Sequence, residues 1–130
     1  MVYFAKDDLL YIHSRILGYT QGIDEVRGEG MLLLASNVPL QTFGGQDLYP
    51  TLNEKFARLS YSLTLNHPFF GGNKRIGAFA LSRGLEINGV SLTCSDAEMI
   101  SIFLGLAGCK LDYTTFLAWV NENAAPKAAK

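Results

Sequence analysis

Two histidines occur in the sequence, and one of them heads a run with the parts of a phosphate-handling site: His67-Pro68-Phe69-Phe70-Gly71-Gly72-Asn73-Lys74-Arg75. His67 follows a predicted helix end at Asn66 and precedes Pro68, which bars a helical continuation. Its imidazole is suited to take a proton from an attacking hydroxyl. A second helix is predicted to restart at about Asn73. A helix start leaves unpaired N–H groups pointing outward with the positive end of the dipole behind them. Gly71 and Gly72 let that backbone come close to an anion, and Lys74 and Arg75 add two full charges at the same place. The combination reads as a base beside a phosphate cradle, as a transfer from a nucleotide to a hydroxyl requires. Gly-Gly-Asn alone is an ordinary interhelical turn with a capping Asn73 and a solvated Lys-Arg pair. The full set of residue types, set between two amphipathic helices, favours the functional reading. His13 falls inside an amphipathic helix and reads as a packed or surface histidine.

The elements that must hold this loop are helical almost throughout. Apolar residues Leu9, Leu10, Ile12, Ile16 and Leu17 predict a first helix from about Lys6 to Gly18, followed by a loop to Gly28. A short helix from about Gly28 to Ser36 is expected to stop before Pro39. The segment Leu40 to Pro50 predicts a loop or a small hairpin around Gly44-Gly45. Thr51-Leu52-Asn53-Glu54 and Ser95-Asp96-Ala97-Glu98 are capping-box patterns that open two helices. The first of these runs to about Asn66. The helix after the loop ends at Asn88-Gly89, the second boxed helix closes at Gly108, and a last helix starts near Asp112. The expected fold is all-α, a compact single-domain bundle of about six helices with a possible flap hairpin near residues 40–48. The domain is expected over residues 1–125, with 126–130 as a frayed tail.

Composition closes off several function classes. A chain of 130 residues with 48% hydrophobic content fits one domain with a real core. A formal net charge of −1 implies no bulk attraction to nucleic acid or an anionic membrane. No signal peptide and no apolar run of membrane-spanning length are visible, so a cytoplasmic protein is expected. Cys94 and Cys109 lie in apolar surroundings and are expected as two buried thiols in a reducing compartment. The sequence has no Gly-x-x-x-x-Gly-Lys-(Ser/Thr), no His-Arg-Asp or Asp-Phe-Gly, and no His-Glu-x-x-His or paired Cys-x-x-Cys. A P-loop enzyme, an ordinary protein kinase and a zinc site are therefore not expected.

The loop resembles that of the Fic/Doc family, whose motif is His-Pro-Phe-x-(Asp/Glu)-Gly-Asn-(Gly/Lys)-Arg. The match holds at His67, Pro68, Phe69, Gly72, Asn73, Lys74 and Arg75. Similarity to the Doc branch extends to Arg27-Gly28-Glu29-Gly30-Met31-Leu32-Leu33, to Tyr49-Pro50 and to Asn88-Gly89, and spans about Lys6 to Asn121. The resemblance implies an all-helical core, ATP and Mg²⁺ as cofactors, and a toxin of a toxin–antitoxin pair. It makes His67 the general base and Phe69 the inward anchor of the loop. Gly72 and Asn73 line the anion hole, and Lys74 and Arg75 hold the nucleotide phosphates. A flap of Thr42, Phe43, Gly44 and Gly45 positions the target segment by backbone hydrogen bonds. The implied partner is a cognate antitoxin, a disordered segment that folds on docking, because the inhibitory Ser/Thr-x-x-x-Glu-(Gly/Asn) helix of some Fic proteins is missing from the sequence.

The sequence departs from the family at Gly71, which stands where an Asp or Glu would hold Mg²⁺ and supplies no ligand. This expects a weakened enzyme. Lys74 in place of Gly, and Ala78 in place of a second Arg, side with Doc and not with AMP-transferring Fic enzymes. In Doc that pattern goes with transfer of the γ-phosphate to elongation factor Tu and arrest of translation. The alternatives are an inactive Fic/Doc-fold binding module and a Fic-type AMP-transferase.

Overall fold

The structure, a computed structural model, describes residues 1–17, 28–66, 68–69 and 72–127. The predicted loop 18–27 and residues His67, Phe70 and Gly71 lie outside the described residues. Six α-helices are described: α1 (Lys6–Leu17), α2 (Glu29–Asn37), α3 (Leu52–Leu65), α4 (Asn73–Ile87), α5 (Asp96–Ala107) and α6 (Tyr113–Asn123). Two short antiparallel pairs join them, β1 (Thr42–Phe43) with β2 (Gln46–Asp47) and β3 (Val90–Leu92) with β4 (Ala124–Pro126). The all-α expectation with one small hairpin holds, and the second pair is an addition to it. No helix among the described residues is long and apolar enough to cross a membrane.

The helix starts follow from local chemistry. Thr51 accepts the Glu54 backbone N–H at 3.1 Å, and its hydroxyl donates to the Glu54 carboxylate at 2.9 Å. Ser95 and Glu98 repeat the arrangement at 3.1 and 3.2 Å, and Asp112 accepts from the Thr115 N–H at 2.8 Å. Each such cap stabilises its helix by about 1 kcal/mol. Pro39 does not end the chain's helical course outright: Val38–Leu40 form a 3-10 turn that accepts proline at its start. The hairpin turns at Gly44 and Gly45, with φ of 59° and 81°. Two consecutive positive φ angles are what the tight turn matching strand twist requires.

α5 closes at its cap residue Gly108, as expected, while two other expectations need correction. After the cap, Cys109 takes the left-handed conformation at φ 58°, with Gly108 at φ −84°. The Lys110 N–H bonds the Gly105 carbonyl at 2.9 Å and the Cys109 N–H bonds the Leu106 carbonyl at 3.0 Å, the Schellman geometry that follows a cap at Gly108. That turn puts Cys109 at the surface. Both cysteines are free thiols, as expected, but Cys94 is only half-buried, so neither is the core cysteine that its apolar neighbours suggested. Of the tail expected over 126–130, residues 126 and 127 are described and paired, and 128–130 lie outside the described residues. Pro126 pairs with Val90, and the Lys127 N–H donates to the Gly89 carbonyl at 2.8 Å. This strand pairs with β3 through the backbone, and its Ala-Ala-Pro side chains carry no pattern that would announce it.

The core is built around α3. Phe56, Leu59 and Leu63 on α3 are fully buried, as are Ile76, Ala80, Leu81 and Leu85 on α4. Leu9, Leu32, Leu106, Phe116 and Val120 close over them from the other helices. Each large side chain so buried contributes about 1.5–3 kcal/mol. The α3–α4 pair forms the most extensive helix contact, and it depends on two glycines spaced two turns apart. A Cβ on Gly77 would stand 2.2 Å from Thr64 Oγ1 and 3.2 Å from the Ser60 carbonyl oxygen, and one on Gly84 would stand 2.3 Å from the Phe56 ring. The Ser60 hydroxyl donates to the Gly77 carbonyl at 2.7 Å, a bond possible only because the two backbones approach so closely.

Substituting Gly84→Ala is expected to cost about 1–3 kcal/mol in urea unfolding, because the buried Phe56 ring has nowhere to go. Gly30→Ala, in α2 with open space around it, is expected to be neutral or to stabilise by up to about 1 kcal/mol. Equal effects at the two positions would contradict the close-packed seam.

Candidate active site

The predicted loop runs from the end of α3 to the start of α4, and what is described of it is a frame. The Asn66 N–H closes α3 on the Ser62 carbonyl at 2.8 Å. Pro68 is buried, and its carbonyl accepts the Gly28 N–H at 3.2 Å, tying the loop to the start of α2. Phe69 is 1% exposed and its ring stacks on His13 with centroids 3.5 Å apart and planes 6° apart. His13 itself is fully buried, one turn from buried Leu9 on the inner face of α1. Of the two readings of His13, packed or surface, the structure selects packed.

Asn73 joins the two halves of the frame. Its Oδ1 accepts the Phe69 N–H at 3.1 Å and its Nδ2 donates to the Phe69 carbonyl at 3.0 Å. The side-chain amide thus pairs with a backbone amide as a neighbouring strand would. Both of these Asn73 contacts are to the backbone of the loop. Gly72, between them, takes φ 77°, a left-handed turn that an L side chain disfavours. Gly72 has no side chain with which to cap α4, so the first amides of the helix keep their outward direction.

The electrostatics at this helix start are inverted. Each of the other five described α-helices carries an acid at its cap or in its first turn: Asp7 and Asp8, Glu29, Glu54, Asp96 and Glu98, and Asp112. The first turn of α4 has no acid and carries Lys74 and Arg75, both exposed. Among the described residues neither has an ion-pair partner. Cations at the positive end of a helix cost about 0.3–1 kcal/mol each. That cost is offset when an anion binds beside them at the positive end of the helix.

The other predicted residues lie apart from this frame. Thr42, Phe43, Gly44 and Gly45 are exposed on the β1–β2 hairpin, with Phe43 80% exposed. No hydrogen bond joins them to residues 68–69 or 72–75 among the described residues. Two flanking features went unread in the sequence. Arg58 on α3 lies 5.4–6.0 Å from the ring centroids of Tyr49, Tyr61 and Tyr113, and burial pushes the Tyr113 hydroxyl up to about 12. An apolar groove of about 240 Å³ opens beside Lys74 and Arg75, floored by Ala78, Met99, Phe103 and Leu104. Burial and then Glu98 raise the Cys94 thiol, which makes it a poor nucleophile.

No set of three His, Cys, Asp or Glu side chains among the described residues is grouped to hold a metal. Gly71 brings no side-chain donor at the position where the family motif has its acid. The chemistry below is derived from the chain's own groups.

Replacing Asn73 with Ala is expected to lower stability by about 2–3 kcal/mol, since it strips partners from a buried N–H and a buried C=O at once. Denaturant melts of Asn73→Ala within about 0.5 kcal/mol of the parent would contradict the loop-closing role.

Residues 3–85 match the model of the Fic/DOC family. The chain is also 40% identical over 114 residues to a protein named Toxin Doc from Mycolicibacterium smegmatis (strain ATCC 700084 / mc(2)155), with 85% of each chain covered. The family match takes in the loop, the helices on either side of it and the hairpin before them, and the chain belongs to the Fic/Doc family.

Proposed function

We propose that the protein is a Doc-type toxin that transfers the γ-phosphate of ATP to a hydroxyl of a translation factor, elongation factor Tu by family resemblance, and so arrests translation. The observation that carries this reading is the inverted charge at the start of α4: two exposed cations on a helix end with no acid to offset them. Phosphate oxygens placed there meet the positive end of the helix dipole and the bidentate guanidinium of Arg75 together. Lys74 adds a point charge to the same oxygens.

In this mechanism His67 takes the proton of the attacking hydroxyl. The hydroxyl oxygen forms a bond to the γ-phosphorus as the bond from that phosphorus to the β–γ bridging oxygen breaks, and ADP leaves carrying the electron pair. Lys74, Arg75 and the α4 amides stabilise the charge that gathers on the phosphate oxygens. Phe69 anchors the loop from inside, and Gly72 and Asn73 line the anion hole beside it. The hairpin of Thr42, Phe43, Gly44 and Gly45 offers its backbone to an extended target segment.

The groove beside Arg75 supports the partner reading. Ile100 and Leu104, one turn apart on α5, are 62% and 56% exposed, an apolar strip that an amphipathic helix would cover. An antitoxin segment that folds on docking fits such a surface. The same groove, together with Gly71, favours the second reading, a Fic/Doc-fold binding module without turnover. AMP transfer is disfavoured by Lys74 and Ala78.

The two readings part on a single substitution. Gly71→Asp supplies a carboxylate that can hold Mg²⁺ against the phosphates, and is expected to raise transfer from γ-labelled ATP to elongation factor Tu by about a hundredfold or more, with Mg²⁺ required. His67→Ala in either background abolishes transfer. If neither the unsubstituted chain nor the Gly71→Asp variant labels any acceptor, the binding-module reading replaces the enzyme.

A further inference from the structure

The hairpin is fastened to the helices at one place. Residues 41–48 are all exposed, and among the described residues the one side-chain tie from β1–β2 to the helices is made by Lys55 on α3. Lys55 is 9% exposed, unusual for a lysine on a surface-lying segment. Its Nζ lies 3.2 Å from the Asp47 carboxylate, in β2, and also donates to the Tyr49 carbonyl. Three residues along the same face of α3, the Arg58 guanidinium lies 6.0 Å from the centre of the Tyr49 ring. Tyr49 also meets the Tyr113 ring edge-on at 6.0 Å. The root of the hairpin is therefore held at its carbonyl, its ring and its acid, while the tip with Phe43 stands free.

We propose that Lys55 is a positioning residue for the protein acceptor: it fixes the height of the hairpin's free edge over α3, and so the place where an added target strand lies. This rests on the reading of the hairpin as the target-holding flap. Backbone pairing of an incoming strand demands a fixed register, and an edge that swings loses much of the gain from each bond it makes. Lys55 faces the hairpin and not the phosphate loop, so its loss acts on capture of the acceptor and leaves nucleotide handling alone. Tyr49 and Arg58 keep the root in place, which makes the lysine's effect local to residues 42–48.

The test is a kinetic split measured on the full chain and on Lys55→Met, a substitution that keeps most of the side-chain volume. With γ-labelled ATP and elongation factor Tu, KM for the acceptor is expected to rise about tenfold, while kcat and KM for ATP stay within about twofold. Lys55→Arg is expected to recover most of the acceptor affinity. Asp47→Asn, on the exposed hairpin where it cannot unfold the core, should shift KM in the same direction. Amide exchange at 42–48 should quicken with no change in α3 or α4. An unchanged acceptor KM in a transferring enzyme overturns the proposal, whatever the exchange shows, and so does unchanged exchange in the hairpin. If the unsubstituted chain and Gly71→Asp transfer nothing, the phosphotransfer reading itself has failed, and the positioning role falls with it.

Discussion

The structure depends on how closely α3 and α4 approach. Gly77 and Gly84 remove the two side chains that would hold the helices apart, and Ser60, Thr64 and Phe56 fill the space from the other side. The gain is large for a small protein, because the same contact buries Leu59, Leu63, Ile76 and Leu81 in one layer. It also sets the span of the loop between Leu65 and Asn73. A loop whose ends are fixed by two packed helices can hold a left-handed glycine and a buried asparagine in place.

Within that span, stability and chemistry are divided among neighbouring residues. Phe69 and Asn73 turn inward, one stacking on His13 and the other pairing with the loop backbone. Lys74 and Arg75, the next two residues, turn outward and leave the start of α4 more positive than any other helix start described. An arrangement that costs free energy in the unliganded protein, beside a frame that resists relaxation, is what anion recognition requires. The hairpin follows the same division. Its root is held by Lys55 and Arg58 on the central helix, and its tip is left bare.

Much of this was legible in the sequence where a local rule decides the outcome. Thr51-Glu54 and Ser95-Glu98 announce their helices because capping is settled within four residues. Gly44-Gly45 announces the hairpin because its turn needs two positive φ angles. The loop from His67 to Arg75 was legible as a cluster of residue types, and its family resemblance agrees with the match over residues 3–85. What stayed hidden depends on residues distant in sequence. His13 meets Phe69 across the bundle, with only its one-turn spacing from Leu9 to hint at burial. Lys55 reads as a solvated lysine until Asp47 and Tyr49 fold back over it. The β3–β4 pair joins Val90 to Pro126 through the backbone. That Cys109 takes the left-handed position after the Gly108 cap also stayed hidden, because a cysteine does not announce a positive φ.

The central claim is that the start of α4 is built to receive the phosphates of a nucleotide. Calorimetric titration of ATP into the intact chain and into Arg75→Ala, at low and at moderate salt, tests it most directly. The account predicts that the intact chain binds ATP, that binding weakens with salt, and that Arg75→Ala lowers affinity about tenfold or more without lowering the melting temperature. No binding at millimolar ATP, or the same affinity in both proteins, would contradict it.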